Sequence, residues 1–298
     1  MITIDIRWLK TFIVAAEFEN FRKAAEQLLL TQPAVTKHIR RLEEYLHVRL
    51  FERNGKNVML TEAGYKFLPY AKQIVKEFEK GLNDFAAWKQ GYSRKLTIAA
   101  APQIASSFLP PLLREFIEQN GDMEVFVNVV KSYEIGAEVN SGKADLGLSR
   151  IKPLQTDLIV EKIHEERVVF VGSSLLGKNE DLHESEILHH YRLITHNHPD
   201  YWDLLLNDIK RHYPHVRTMV VSQGEVTKKF IENGLGVSYL PYSMVKEEIL
   251  QGRLIEIPPE KVKLPKSVTY VITKIGTEEA KSFIHFLKKK IPLNHGGF

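Results

Sequence analysis

The sequence contains no cysteine. This absence excludes disulfide bonds, thiolate zinc sites, iron–sulfur clusters and cysteine nucleophiles. No apolar run in the chain approaches the roughly 18 residues that a membrane-spanning helix needs. Residues 1–7 lack the basic start and the long apolar stretch of a signal peptide. These absences predict a cytoplasmic protein that has no membrane partner.

Net charge is also small, with 41 Lys and Arg against 37 Asp and Glu. The whole positive excess lies within residues 1–93, because the rest of the chain carries equal numbers of basic and acidic residues. A surplus confined to one part of a chain favours a nucleic-acid partner there, although many enzymes carry such an asymmetry by chance.

The residue pattern changes once along the 298 residues, near residue 91. A chain of this length is expected to form two or three domains. Residues 5–90 follow helical spacing, whereas residues 95–291 alternate short apolar runs with amphipathic stretches, as α/β folds do. Residues 91–94, which begin with a glycine, are the expected hinge. The sequence thus predicts a multidomain protein with an α part followed by an α/β part.

Two short predicted helices precede a third, which runs from about Gln32 to Leu46. Its apolar residues recur at helical spacing and predict one buried stripe. The opposite face carries Pro33, Thr36, Lys37 and Arg40, with Gln32 at its leading end and Thr31 as the N-cap. Gln and Thr can hydrogen-bond to base edges, while Lys and Arg can bind phosphates or guanine. This pattern predicts a helix-turn-helix that binds DNA; the alternative is a three-helix bundle with a solvated polar face.

A hairpin is predicted directly after this helix. Asn54 and Gly55 form a strong turn signal between two short runs within residues 48–60. Arg53 and Lys56 are then expected at the tip of the hairpin, where they can reach phosphates or the minor groove. The hairpin extends the prediction to a winged helix-turn-helix DNA-binding domain over residues 1–60.

A long helix is predicted over residues 61–90, with Thr61 as its N-cap. Its large apolar residues follow alternating steps of three and four, which is typical of a coiled-coil seam. The seam consists of Phe67, Ala71, Ile74, Phe78, Leu82 and Phe85. An isolated helix would expose this seam, so we expect it to join two copies of the chain as a linker helix. Packing onto its own domain is the alternative.

The chain resembles the LysR-type transcriptional regulators over nearly its whole length. The N-terminal part of the resemblance consists of FRKAA (21–25), TQPAVT (31–36), IRRLE (39–43), RLFER (49–53) and LTEAG (60–64). The later part consists of LPPLL (109–113), GKADLGL (142–148) and GLGVSYLP (234–241). Residues 20–23 and 195–203 further resemble a member that regulates central carbon metabolism.

The resemblance implies a winged helix-turn-helix, a dimerising linker helix and a two-lobed α/β effector domain like that of periplasmic binding proteins. The expected lobes comprise residues 95–163 with 267–298, and residues 164–266. It further implies a homotetramer, double-stranded operator DNA and a small-molecule effector as partners, with RNA polymerase as another. Gln32, Pro33, Thr36, Lys37 and Arg40 match the family's recognition positions, and Arg53 matches the wing. His47 departs from the family's usual glycine, which predicts backbone strain if the residue is left-handed.

Four strand ends are expected to meet at one cleft of the effector domain, because helix N-termini at the ends of parallel strands can bind anions. The predicted effector-binding residues are Ala101, Pro102, Gln103, Ser106, Arg150, His196, Asn197, His198, Gln223 and Glu225. Arg150 and the two histidines would favour a small organic anion. The alternative is that Arg150 pairs with a nearby acid and that the histidines lie on the surface. Glu225 would repel an anion unless it points outward.

No catalytic constellation is apparent in the sequence, and we expect no cofactor and no metal site. His196 and His198 could place two imidazoles on one face of a strand, but only Asp200 could add a nearby carboxylate ligand. The predicted function is therefore a DNA-binding transcriptional regulator that is switched by a small organic anion. The alternative is a small-molecule-binding metabolic enzyme or adaptor with a helical N-terminal domain.

Overall fold

The structure is a computed structural model that describes residues 4–54, 57–176 and 183–291. The chain forms two compact units, Met1–Gly91 and Tyr92–Phe298. Within the described ranges, no helix is long and apolar enough to cross a membrane.

Three helices form the core of the first unit: α1 (Ile6–Phe18), α2 (Phe21–Leu28) and α3 (Gln32–Leu46). Each begins at a polar residue whose side chain accepts a hydrogen bond from the first turn; these caps are Asp5, Asn20 and Thr31. The predicted stripe of α3 is confirmed at Val35, Ile39 and Leu42, which are buried against α1 and α2. This packing leaves the opposite face of α3 at the surface.

The predicted hairpin is confirmed and consists of β1 (Phe51–Asn54) and β2 (Asn57–Leu60). The strands pair antiparallel from Phe51 opposite Leu60 to Asn54 opposite Asn57. Glu43 of α3 anchors the hairpin, because its carboxylate accepts the backbone N–H groups of Leu50 at 2.7 Å and Phe51 at 3.1 Å. The hairpin therefore has a fixed position relative to the exposed face of α3.

The long helix is α4 (Glu62–Lys89), which begins after the capping hydroxyl of Thr61. Its predicted seam is divided between two environments. Ala71 is fully buried in the core of its own unit, and Phe67 packs there against Phe12 with ring centroids 5.6 Å apart. The prediction of an interface between copies is therefore wrong for Ala71, which α1 already covers, whereas it stays a prediction for the half-buried Phe67. The later seam residues Ile74, Phe78, Leu82 and Phe85 are exposed.

The second unit is an α/β structure. Its first half consists of β3 (Arg94–Ala100), α5 (Pro102–Ser106), α6 (Leu109–Gln119), β4 (Met123–Val129), α7 (Ser132–Asn140), β5 (Leu146–Ser149) and β6 (Ile159–Ser173). It continues with α8 (Glu184–His190), β7 (Leu193–Thr195), α9 (Trp202–His212), β8 (Thr218–Val220), α10 (Gly224–Glu232) and β9 (Ser238–Pro241). The last elements are α11 (Tyr242–Leu250), β10 (Leu254–Glu256), β11 (Lys266–Thr273) and α12 (Glu278–Lys290).

Two lobes share the long strand β6. Its first half pairs with β11, beyond which β5, β3 and β4 complete the sheet of the first lobe. Its second half pairs with β9 and β10, and β7 adjoins β9 through a bridge between Leu193 and Val237. The expected lobe boundaries at 163/164 and 266/267 thus fall inside β6 and at the start of β11. These strands connect the lobes, and the carboxyl ends of β3 and β4 face the second lobe across a cleft.

The expected hinge is shorter than residues 91–94. Gly91 has a left-handed backbone with φ of +91°, which favours glycine. Ser93 and Arg94 are instead held by the second unit, because their backbone N–H groups donate to the carbonyl of Asp122 at 2.9 and 3.2 Å. The Arg94 guanidinium also pairs with the Asp122 carboxylate and lowers the pKa of that carboxyl.

A polar helix face and a cleft between two lobes

The exposed face of α3 brings together every helix residue that the sequence predicts for DNA recognition. Thr31, Gln32, Pro33, Thr36, Lys37 and Arg40 are all exposed. The last five line one concave surface. The Thr31 hydroxyl accepts the N–H of Ala34 at 3.4 Å and so caps the helix, as predicted. The Thr36 hydroxyl donates to the carbonyl of Gln32 at 3.1 Å, which leaves its oxygen able to accept a further hydrogen bond.

Arg40 forms an ion pair with Glu44 one turn later on α3, with Nε and Oε1 2.8 Å apart. Both side chains are largely exposed, at 79% and 55% of their surface. Exposed pairs of this kind contribute little stability. A phosphate or a guanine edge can therefore compete for Arg40 at low cost.

The hairpin tip is only partly described. The backbone of Arg53 pairs with Val58 in the β1–β2 ladder. Lys56 and the side chain of Arg53 lie outside the described residues. Their predicted roles at the wing remain predictions.

A cavity of about 220 Å³ lies in the cleft of the second unit. Seven of the predicted effector-binding residues line it: Ala101, Pro102, Gln103, His196, Asn197, His198 and Gln223. They come from the ends of β3 and β7 and from the start of α10, as the strand-end argument requires. The volume is below the ~300–1,000 Å³ typical of pockets for drug-sized ligands, so the cavity suits a small molecule.

Arg150 does not line this cavity, so its prediction as an effector-binding residue is wrong. Its side chain is fully buried, with Nη2 3.2 Å from the Glu166 carboxylate and Nη1 donating to the Thr269 hydroxyl at 2.9 Å. Burial lowers the pKa of Arg150, and the Glu166 charge opposes this effect. Pairing with an acid, the alternative stated above, describes this residue correctly.

Ser106 and Glu225 are also absent from the lining described for the cavity, which corrects their prediction. The Ser106 hydroxyl donates to the Glu225 carboxylate at 2.8 Å. Glu225 also forms an ion pair with Lys228, with Oε2 and Nζ 3.0 Å apart. Its charge is thus directed toward other protein groups instead of toward a ligand.

His198 lines the cavity but carries no charge there. Its Nδ1 accepts the backbone N–H of Asp200 at 3.2 Å, so the proton lies on Nε2, which donates to the Ser267 hydroxyl at 3.0 Å. Burial and the nearby Arg150 charge lower the pKa of His198 well below its usual range. The expectation that His198 attracts an anion is therefore wrong. Since both ring nitrogens are occupied, His198 is also unsuited to bind a metal ion.

Asn197 and His196 shape the wall of the cavity. Asn197 is buried, donates to the Ser238 hydroxyl at 2.9 Å and accepts the indole N–H of Trp202 at 2.9 Å. His196 has a left-handed backbone with φ of +62°, and its Nδ1 lies 2.8 Å from the Thr195 hydroxyl. Asn197 is thus tied to two elements of the second lobe, whereas the hydrogen bond of the His196 side chain joins it to its neighbour Thr195.

Sequence reasoning missed six further residues that line the cavity: Lys131, Ser132, Tyr133, Pro199, Ser222 and Gly224. Ser132 and Gly224 begin α7 and α10, so two helix N-termini from different lobes border the cavity. Helix N-termini favour anions, and the Lys131 ammonium adds a full charge. The strand-end argument would have found Lys131 and Ser132 if it had been applied to the apolar run that forms β4.

Gly224 leaves space for two side chains at the start of α10. A β-carbon at Gly224 would lie 2.6 Å from Cε of Met244 and 3.3 Å from Nε2 of Gln103. The absence of a side chain lets the helix N-terminus approach the Gln103 side of the cavity closely.

Comparison with known proteins agrees with this architecture. Residues 6–65 match the model of the bacterial regulatory helix-turn-helix protein of the lysR family, and residues 89–292 match the LysR substrate binding domain. CitR, an HTH-type transcriptional regulator of Bacillus subtilis, is 40% identical over 286 residues, which cover 95% of this chain and 98% of CitR. YxjO of the same organism, an uncharacterized HTH-type transcriptional regulator, is 39% identical over 94% of this chain and 96% of its own length.

Solved structures show the same fold at lower identity. CbnR, a LysR family regulator, has a TM-score of 0.65 at 22% identity and covers 96% of this chain and 99% of its own. The Vibrio fischeri regulator DarR in complex with DNA has a TM-score of 0.62 at 22% identity, with 96% of this chain and 99% of its own covered. These findings confirm the predicted winged helix-turn-helix, linker helix and two-lobed domain. The chain belongs to the LysR family of transcriptional regulators.

Proposed function

We propose that this regulator reads duplex DNA through Gln32, Pro33, Thr36, Lys37 and Arg40, and that a small organic anion in the cleft controls its DNA binding. The observation that carries the first part is the exposure of all five side chains on one concave surface of α3. Gln32 and Thr36 supply donors and acceptors for base edges, while Lys37 and Arg40 supply charge. The solved structures of DarR and CbnR with DNA carry the same fold.

The anion site rests on the cleft between the lobes. Lys131 and the N-termini of α7 and α10 border a cavity that two lobes share. A ligand that contacts both lobes stabilises the lobe arrangement that fits it best, and this differential binding shifts the population of states. The DNA affinity then changes only if the DNA-binding heads differ between those states. The resemblance of residues 20–23 and 195–203 to a regulator of central carbon metabolism favours a carboxylate of that metabolism as the ligand class.

The quaternary proposal rests on α4. Ile74, Phe78, Leu82 and Phe85 are each between 44% and 57% exposed, and they follow one another at coiled-coil spacing. We propose that a second copy covers this face, that dimers pair into tetramers, and that the assembly acts in the cytoplasm on promoter DNA together with RNA polymerase. Two recognition helices can then read two half-sites.

We propose no catalytic role for the cleft. Two histidines line the cavity. Both ring nitrogens of His198 are hydrogen-bonded within the protein, and Nδ1 of His196 lies 2.8 Å from the Thr195 hydroxyl, not beside a carboxylate that would orient the ring as a base. A base needs a nitrogen that can reach the substrate proton. The metabolic-enzyme alternative therefore lacks a supporting observation at this site.

Arg40→Ala tests the DNA-binding proposal. The probe is a duplex that the wild-type protein selects from a random-sequence pool. If Arg40 reads a base, the substitution should weaken binding by about 1–3 kcal/mol and relax the preference at one position. The measurement is fluorescence anisotropy with the full chain.

Arg114→Ala is the matched control, because Arg114 forms the same ion pair one turn apart, with Glu118 at 3.0 Å, on α6 of the second unit. This control should bind the duplex as the wild type does. Equal affinities of wild type and Arg40→Ala would remove Arg40 from the recognition surface.

A further inference from the structure

We propose that the cleft selects a small hydroxycarboxylate over the corresponding acid without the hydroxyl group. This inference rests on the proposed effector function of the cleft. It adds that the ligand carries a hydrogen-bond donor for the side chain of Gln103. The anion is held by the two helix N-termini and Lys131, whereas the hydroxyl donates to Gln103.

Gln103 presents an acceptor that has no partner among the described residues. Its side chain is only 6% exposed, and its Oε1 is buried without a hydrogen bond. Its Nε2 donates to the backbone carbonyl of Asn197. Because a carbonyl can only accept, Oε1 and Nε2 have fixed positions and the amide cannot be turned round. Leaving such a buried acceptor unsatisfied is costly, so a donor is required.

The protein holds Gln103 in this position. The side chain of Asn197, whose carbonyl receives Nε2, is tied to Ser238 and Trp202. On the other side, Gly224 leaves room beside the amide, because a β-carbon there would lie 3.3 Å from Nε2. Oε1 itself is covered by protein atoms, so a ligand in the cavity donates to it once the amide turns slightly toward the cavity. Gln103, Asn197 and Gly224 all line the cavity. The geometry therefore points to a bound molecule as the hydrogen-bond donor for Oε1 of Gln103.

A carboxylate alone cannot satisfy this acceptor. An ionised carboxylate only accepts hydrogen bonds. It suits Lys131 and the N-termini of α7 and α10, which offer backbone N–H groups. The Ser132 hydroxyl can add a donor, because its oxygen already accepts the N–H of Arg150 at 3.3 Å and its own proton remains to be donated. The ligand thus needs an anionic group and a separate donor.

A hydroxyl fits this second group better than an ammonium. None of the described lining residues is acidic. Glu166 accepts hydrogen bonds from Arg150 and Ser243, and Glu225 is paired with Lys228. Glu134 lies next to Lys131, but its carboxylate already accepts the backbone N–H of Lys131 at 3.2 Å and so caps α7. A ligand ammonium would therefore be desolvated beside the Lys131 ammonium and would have to compete for a carboxylate that is already bonded, which is unfavourable. A neutral hydroxyl meets the need of Gln103 without this cost.

The test compares acids that differ only by the hydroxyl group. Isothermal titration calorimetry with the full chain would use malate against succinate and citrate against tricarballylate, with aspartate as the ammonium analogue of malate. We expect at least one hydroxy acid to bind about tenfold or more tightly than its partner, because the partner leaves Gln103 unsatisfied. Aspartate should bind more weakly than malate.

Gln103→Leu removes the acceptor while keeping a side chain of similar length. We expect the preference for the hydroxy acid to fall to about one, mainly through weaker binding of that acid. Gln119→Leu is the control, because it makes the same change at an exposed residue of α6 that does not line the cavity. It should keep the wild-type preference. Thermal unfolding of both variants verifies that they fold.

The two proposals fail in different ways. Equal binding of both acids in each pair, or tighter binding of aspartate than malate, would overturn the hydroxyl inference and leave the cleft as an anion site. Failure of every acid to bind at millimolar concentration would overturn the anion site as well. Wild-type protein alone gives these results, so they do not depend on the folding of a variant.

Discussion

At the scale of single residues, the residue that ends α3 has a backbone conformation that its side chain disfavours. His47 ends α3 with φ of +53°, and its N–H bonds to the carbonyl of Glu43. A left-handed residue with a β-carbon costs roughly 1–2 kcal/mol, a cost that glycine avoids. The strain expected from the sequence is therefore present, at the point where the recognition helix turns toward the hairpin.

His47→Gly should raise the free energy of unfolding by about 1 kcal/mol, because glycine adopts this backbone freely. Urea unfolding of the full chain, followed at the first unit's transition, measures the change. His47→Ala is the control, since alanine retains the β-carbon and should give no comparable gain. An equal gain from both substitutions would show that the imidazole, and not the backbone, is the source of the strain.

Single residues also show where sequence reasoning stops. Gln103, Asn197 and Gln223 could be placed in the cleft because strand ends and helix starts meet there. Arg150 could not, because its partners Glu166 and Thr269 come from β6 and β11 and only the folded chain brings them close. The sequence could suggest a hydrogen-bonding role for Gln103, but not that its Oε1 would be left without a partner.

At the scale of elements, the spacing of apolar residues predicted where the helices lie better than it predicted which surface packs against each helix. The heptad spacing of α4 is continuous from Phe67 to Phe85. Its first part packs against α1 of the same unit, and its later part is exposed. A spacing rule identifies an apolar face but carries no information about which surface pairs with it. Likewise, the sequence did not predict that one 15-residue strand, β6, belongs to both lobes, because charged residues interrupt its apolar pattern.

Phe78→Glu tests the exposed part of α4. The substitution should break the proposed dimer while leaving the first unit folded, because Phe78 is 44% exposed within one chain. Light scattering gives the mass, and circular dichroism gives the helix content. Ala71→Glu makes a useful contrast: it should unfold the first unit, because it buries an unpaired charge. An oligomer of unchanged mass for Phe78→Glu would place the interface elsewhere.

At the scale of the whole molecule, the face proposed to bind DNA and the cleft proposed to bind the effector lie in different units. The first unit holds the positive excess of the sequence and the exposed face of α3, and the second holds the cleft. The family, the fold and most cleft residues were predictable because they rest on local motifs and on strand ends. The contribution of Lys131 and Ser132 to the cleft was not predicted, since it depends on how helix N-termini from two lobes converge.

The most direct test of the account is the affinity of the full-length protein for a duplex it has selected and for a scrambled duplex, measured across a range of salt concentrations. The account predicts that the selected duplex binds about a thousandfold or more tightly. It also predicts that the affinity for both falls steeply as salt rises, because phosphate contacts release counterions. Equal affinity for the two duplexes, or binding that does not respond to salt, would contradict sequence-specific DNA recognition by this chain.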